Sequence, residues 1–305
     1  QAEDGIRDLV RSRGLGDVYK RQGYETIKVT PLTPRIGAEV TGVKLTEPMG
    51  NQQFQEVHDA LMEHSVIFFR DQPVDVNQHK DFGRLFGDLH IHPGSPPPPG
   101  HPEILIVHAD KNSKHIAGEN WHSDVSCDEE PPMGSILHLW EVPESGGDTL
   151  FANTILAYEG LPNSMKKNID NLKVIHSAAL PYADDGFYAL EKEKDRSMKI
   201  RPSKDAKKTF IHPLVRTHPD SKRKGLFINP VYSLFIDGLE KNESDALLND
   251  LFSHMTQEQY IYRHIWEEDM LIMWDNRAVM HQATGGYDGY DRLLHRITIA
   301  GEQPS

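Results

Sequence analysis

His122 and Asp124 stand at i and i+2 in the stretch Trp121-His122-Ser123-Asp124. On a β-strand that spacing turns both side chains to one face. An imidazole nitrogen beside a carboxylate oxygen supplies two-thirds of a facial metal site. The same pattern recurs at His79/Asp81, His108/Asp110 and His218/Asp220 in a chain with 17 histidines, so spacing alone also allows a polar surface pair at any of them. The third ligand has to come from elsewhere. His281, at the end of the stretch Trp274–His281, is the candidate. Two histidines and one carboxylate on an octahedral face leave three positions open, the donor arrangement of non-haem Fe(II) oxygenases.

Near the C-terminal end Arg292, Leu294 and Arg296 share strand parity, with His295 on the opposite face;. Two arginines pointing into one interior are costly to bury without anionic partners. Either internal carboxylates or bound anions must answer them, and a guanidinium suits a bidentate grip on a carboxylate or sulfonate. Structural salt bridges are the alternative for the pair taken alone.

The elements that must position these residues read as a β-rich domain. The 305 residues are 37% hydrophobic and 26% charged, enough for one large core. The formal net charge of −13 argues against a nucleic-acid or anionic-membrane partner. Cys127 is the single cysteine, so no internal disulfide forms and a reducing compartment is expected. A small buried thiol is its ordinary role; a ligand role is the alternative. There is no apolar run of membrane length and no signal peptide, which makes the cytoplasm the expectation.

Residues 12–22 resemble the translated end of a transposon-derived library adapter. Residues 1–22 are therefore expected to be non-native, with a charged helix as the alternative, and 23–305 to form a single domain. Strands are predicted at Thr26–Thr30, Ser65–Phe69, Ile104–Val107, Gly134–Leu139, Thr149–Phe151, Phe210–Val215, Gly225–Asn229, Tyr260–Trp266, Met270–Trp274 and Arg292–Ala300, and Trp121 opens a further one that carries the His-x-Asp pair;. Apolar spacing predicts helices at Gln52–His64, 77–87 and 240–254, and Asn153 is placed to cap another;. Residues 183–209, dense in charge, read as a long insertion, lid-like or simply solvated.

With those pieces in order, the chain resembles the taurine dioxygenase family of Fe(II)- and 2-oxoglutarate-dependent dioxygenases, which includes the 2,4-dichlorophenoxyacetate dioxygenases. The resemblance rests on Phe68–Gln72, Phe86–Pro93, Asn120–Val125, Gly146–Phe151, His212–Pro219, Trp274–Arg277 and His281–Arg296. It implies a mainly β fold with flanking helices, a double-stranded β-helix or jelly roll of the cupin type. It implies Fe(II) on His122, Asp124 and His281, with 2-oxoglutarate and O2 as co-substrates. Arg292 and Thr149 match the positions that hold 2-oxoglutarate, and Arg296, His92 and Phe227 match substrate-pocket positions. The expected reaction is hydroxylation of a small anion, taurine or a related alkylsulfonate, giving aldehyde and sulfite beside succinate and CO2.

Two departures weaken taurine itself. Ser95 stands where the taurine enzymes carry a tyrosine, and Gly118 where they carry an asparagine. An alkyl sulfate or an aryloxy-carboxylate fits a roomier pocket. A homodimer or tetramer is expected by the same resemblance. The rival classes are a non-catalytic jelly-roll binding module and a cupin-like metal enzyme that needs no 2-oxoglutarate; neither requires the Arg292–Thr149 pair.

Overall fold

The computed structural model describes residues 23–92, 96–190 and 197–305. The adapter-like segment 1–22 and Ser95 lie outside the described residues. A seven-stranded sheet runs in the order Lys28–Pro31, Ala38–Thr41, Val66–Phe69, Leu271–Asp275, Gly134–Glu141, Arg292–Ile299, Leu105–Ala109. Its pairings are antiparallel except that between Ala38–Thr41 and Val66–Phe69. Facing it is a three-stranded antiparallel sheet of Ile261–His264, Thr149–Asn153 and Val279–Ala283. A second three-stranded sheet joins Ser233–Ile236, Lys173–Ser177 and Thr209–Pro213, and Lys224–Leu226 pairs with Val215–Thr217. The architecture is the expected mainly β jelly roll, with helices outside.

Strand parity sorts the side chains into layers. Val66, Phe68, Ile272, Trp274, Leu137 and Leu139 point between the sheets, where they meet Phe151, Tyr262 and Trp266. Their neighbours Ile67, Phe69, Leu271, Met273 and Ile136 point outward onto the helices Asn51–His64 and Val76–Arg84. The small sheets bury their outer faces under the helices Thr154–Gly160 and Lys241–Met255. Asn153 caps the first of these by accepting from the Ile155 and Leu156 amides, as its residue type predicts. No helix among the described residues is long and apolar enough to cross a membrane.

Two expectations change. The His-x-Asp pair is not on a strand: His122 makes a single bridge to His281, and Asp124 already lies in a turn. Ala38–Thr41, Lys173–Ser177 and Ser233–Ile236 are strands beyond those predicted; all three are four or five residues long, too short for a clear pattern. The segment 183–209 holds a helical turn at Phe187–Leu190 and a 3-10 turn at Lys204–Lys207, and Phe187, Tyr188, Met198 and Ile200 from it line the central cavity.

Candidate active site

His281 sits in the strand Val279–Ala283, which pairs with Thr149–Asn153. Its amide donates to the His122 carbonyl at 2.7 Å, and the His122 amide returns the bond at 3.0 Å. That two-way bridge brings the imidazole centroids to 4.1 Å. Asp124 is gripped from the other side. Its amide donates to Asn276 Oδ1 at 2.7 Å, and Asn276 Nδ2 donates to its carbonyl at 2.8 Å. The chain then turns sharply at Val125, whose φ of 46° is left-handed. A β-branched residue there is strained, and such strain persists only where the surroundings over-determine it.

His122, Asp124 and His281 each offer a ligand atom, and these atoms lie within 4.8 Å of one another. Both Nε2 atoms stand 3.8 Å from Asp124 Oδ1. His122 Nδ1 donates to the Asn120 carbonyl at 2.7 Å, which leaves Nε2 as the lone-pair nitrogen, the tautomer a metal requires. Ser135 donates to Asp124 Oδ2 at 2.7 Å, and Arg296 Nη1 donates to Oδ1 at 2.6 Å.

Burial pushes the His281 imidazole down to about 3, aided by His122 alongside, and burial also lowers His122. Burial by itself would raise the Asp124 carboxyl, but Arg296, the two imidazoles and Ser135 hold it below the usual carboxylate range. At neutral pH the cluster is therefore two neutral imidazoles and a carboxylate, the protonation state metal binding demands. The N, N, O donor set fits a first-row divalent ion such as Fe(II).

Arg292 and Arg296 both enter the cavity from the strand Arg292–Ile299, as their parity predicts. Arg292 is 5% exposed and has no carboxylate within ion-pair distance among the described residues. Its Nη2 donates to the Gly147 carbonyl at 3.0 Å, and the guanidinium lies over the Trp266 and Tyr287 rings. Its Nε is buried without an acceptor. Burial lowers this guanidinium to about 10. Gly147, at φ +73°, lets the arginine pack on bare backbone; a Cβ there would come within 2.9 Å of Arg292 Nε. Thr149 lies beside it, its hydroxyl accepting from Trp266 Nε1 at 3.1 Å.

The ligand cluster, both arginines and Thr149 line one cavity of about 380 Å3. His92 and Gly118 line it too. His92 packs edge-on against Tyr182 and is lowered to about 4, by burial and then by Arg296. Gly118 has φ +79°, and a Cβ would sit 3.1 Å from His122 Cε1, so a side chain there presses on the ligand ring. Phe227 is a correction. It is buried away from the cavity, stacked on His176 and against His212, with the Arg216 guanidinium over its ring. Cys127 is buried in a small apolar cluster with Val125 and Tyr232, outside the ligand set.

Sequence reasoning missed Ser135, Asn276, Trp266 and Tyr287. Asn276 and Tyr287 lie within stretches that carried the resemblance, and Ser135 has the inward parity of its strand; those were the available signals.

The model of the taurine catabolism dioxygenase TauD, TfdA family matches residues 28–298. An alkylsulfatase from Acinetobacter baylyi is 34% identical over 280 residues, covering 91% of this chain and 86% of the relative. An alpha-ketoglutarate-dependent sulfate ester dioxygenase from Pseudomonas putida is also 34% identical, covering 91% of each chain. The crystal structure of a taurine dioxygenase from Burkholderia xenovorans superposes with a TM-score of 0.76 at 31% identity, over 92% of this chain and 93% of that one. A match spanning nearly the whole jelly roll, joined to a His, Asp, His cluster beside two buried arginines, means that this chain belongs to the TauD, TfdA family of dioxygenases.

Proposed function

We propose that this 2-oxoglutarate-dependent dioxygenase oxidises a small sulfo anion, an alkylsulfonate or alkyl sulfate, held by Arg296. The observation that carries the reading is the pair of arginines on one strand face. Among the described residues Arg292 faces no carboxylate, and the carboxylate Arg296 meets is that of Asp124. Arg292 is a buried cation that asks for an anionic ligand, and Arg296 asks for one once a metal claims the Asp124 carboxylate it now holds;. One is the distal carboxylate of 2-oxoglutarate at Arg292 and Thr149. The other is the substrate's own anionic group.

Fe(II) would be held by His122 Nε2, His281 Nε2 and the Asp124 carboxylate. When bound with 2-oxoglutarate and O2, it supplies oxidative decarboxylation to succinate and CO2 and places one oxygen atom on a substrate carbon. The chain's own residues set the geometry. Ser135 fixes the Asp124 carboxylate, and Asn276 fixes the backbone that carries it. The Asn120 carbonyl holds the His122 ring in its metal-binding tautomer. Trp266 and Tyr287 place their rings against the Arg292 guanidinium and hold it in position. Arg296 anchors the substrate and so presents a single C–H bond, which converts binding into orientation. Oxygen placed on the carbon bearing a sulfonate leaves an unstable hydroxysulfonate that collapses to aldehyde and sulfite; a sulfate ester gives aldehyde and sulfate.

Gly118 favours a substrate other than taurine, since nothing at that position reaches for an amine. The reading includes a cytoplasmic enzyme acting as a dimer or tetramer, which light scattering of the purified protein tests. The substrate is tested with a panel of sulfonates, sulfate esters and aryloxy-carboxylates, read by succinate release with sulfite and sulfate assayed in parallel. Turnover of the carboxylates alone would overturn the sulfo-anion assignment.

A further inference from the structure

Two phenols stand near Arg296 in the cavity wall. Tyr182 and Tyr232 both line the cavity. Their side chains pack together with Val125, the residue that follows Asp124, and Tyr182 sets its ring edge-on against His92. The backbone fixes each of them. The Tyr232 amide donates to Asn229 Oδ1 at 2.9 Å, and its carbonyl accepts from the Ser177 amide at 2.9 Å. Tyr182 closes the helical turn Ala179–Tyr182, and its carbonyl accepts from the Ser203 amide at 2.9 Å.

Burial pushes both phenols up, and for Tyr182 the Arg296 charge and a hydrogen bond from Tyr232 act against it. Tyr232 is thus the donor of the pair, which leaves the Tyr182 proton for another acceptor. Among the described residues no carboxylate or carbonyl takes it. The anion that Arg296 would hold is such an acceptor. A planar guanidinium grips two oxygens of an anion. A carboxylate has no more than those two. A sulfo group has three, set tetrahedrally, and the third needs a donor from another direction. A phenol beside the arginine supplies one.

We propose that Tyr182 donates a hydrogen bond to the third sulfo oxygen and so selects sulfo anions over carboxylates. Tyr232 is the positioning residue that turns the Tyr182 proton toward the substrate. This inference rests on the sulfo-anion reading above and names a further specificity-determining residue of that site. A carboxylate held by Arg296 leaves the Tyr182 hydroxyl without its acceptor. A site built around a donor discriminates against a ligand that does not meet it. One hydrogen bond to a charged group is worth roughly ten- to a hundredfold in affinity.

The test compares n-hexanesulfonate with heptanoate, which share one alkyl chain and differ in the anion. Equilibrium affinities are measured anaerobically on the Fe(II)- and 2-oxoglutarate-loaded protein, and kcat/KM by succinate release. Wild type is expected to favour the sulfonate. Tyr182→Phe keeps the ring and should cut the sulfonate-to-heptanoate ratio roughly ten- to a hundredfold, chiefly through weaker sulfonate binding. Tyr232→Phe should cut it a few-fold, and in the Tyr182→Phe background should change it no further. Both ligands are measured on the same protein, so a variant that folds poorly shifts both alike and leaves the ratio readable. A ratio untouched by Tyr182→Phe overturns the inference and leaves the sulfo-anion reading standing. An equal effect of Tyr232→Phe with and without the Tyr182 hydroxyl overturns the positioning role. A wild type that favours heptanoate overturns the head-group reading itself, and this inference with it.

Discussion

Arg292→Met separates two things that the wild-type guanidinium does at once. Burial lowers Arg292 to about 10, and a depression of that size from the usual arginine range corresponds to roughly 3 kcal/mol of lost hydration. The bond to the Gly147 carbonyl and the Trp266 and Tyr287 rings offset about 2 kcal/mol of that;. Methionine keeps most of the stem's packing and removes the charge. Without ligands, the variant should therefore match or exceed wild-type stability, by about 0–2 kcal/mol. In a chain of this size that moves the melting midpoint up by only a few degrees.

With 2-oxoglutarate the sign reverses. Loss of a buried charge-assisted partner costs about 2–5 kcal/mol, roughly 30- to 4,000-fold in Kd. Wild type at a concentration of 100 Kd gains about 2.7 kcal/mol, and the variant at the same concentration should gain no more than about 0.9 kcal/mol. Scanning calorimetry with Mn(II) present throughout, with and without 2-oxoglutarate, reads both effects. A variant that loses several kcal/mol in the absence of ligand yet is still stabilised by 2-oxoglutarate would refute the reasoning, because Arg292 would then be a structural ion.

The remaining predictions use other assays. His122→Ala and Asp124→Ala should each abolish Fe(II) binding by equilibrium dialysis as well as succinate formation; retained metal in either places the ion elsewhere. Arg296→Ala should raise KM for the prime substrate at least tenfold while changing the 2-oxoglutarate requirement little, and an exchange of those effects with Arg292→Met reverses the two arginine assignments. Gly118→Asn, forced into left-handed backbone against the His122 ring, should weaken metal affinity several-fold; unchanged affinity would show that the ring has room to shift. Burial lowers His79, His176 and His264 to about 3 each. The unfolded chain takes up their protons below about pH 6.5 and the folded chain does not, so stability is full above that pH and falls as pH drops toward 3. Three such groups give roughly 4 kcal/mol per pH unit between pH 6 and 4, and urea midpoints that stay level across that window would contradict the burial of these rings.

Much of this molecule was legible in one dimension. Unbroken apolar runs in Val66–Phe69 and in Leu271–Trp274, and 3.6-residue spacing in Asn51–His64, follow from which side chains must leave water, and the observed ends differ from the expected ones by a few residues. The parity of Arg292 and Arg296 placed both on one face, because strand geometry is local. The His122-x-Asp124 pair was visible, but for a wrong reason. A turn held by Asn276, 152 residues away from Asp124, does what a strand was expected to do.

What needed three dimensions was every relation between distant segments. The bridge from His122 to His281, the packing of Arg292 against Trp266 and Tyr287, and Ser135 on Asp124 are contacts that loops and strands make only once the sheets have paired. Phe227 shows the limit from the other side: an aromatic in the right segment turned away from the cavity because His176 and His212 offered it a buried stack. Residue types and spacing determined which chemistry was available, since ligand atoms, charges and strand faces are properties of the local chain. Sheet pairing decided which of those groups meet, since a contact across many residues depends on how the whole core packs.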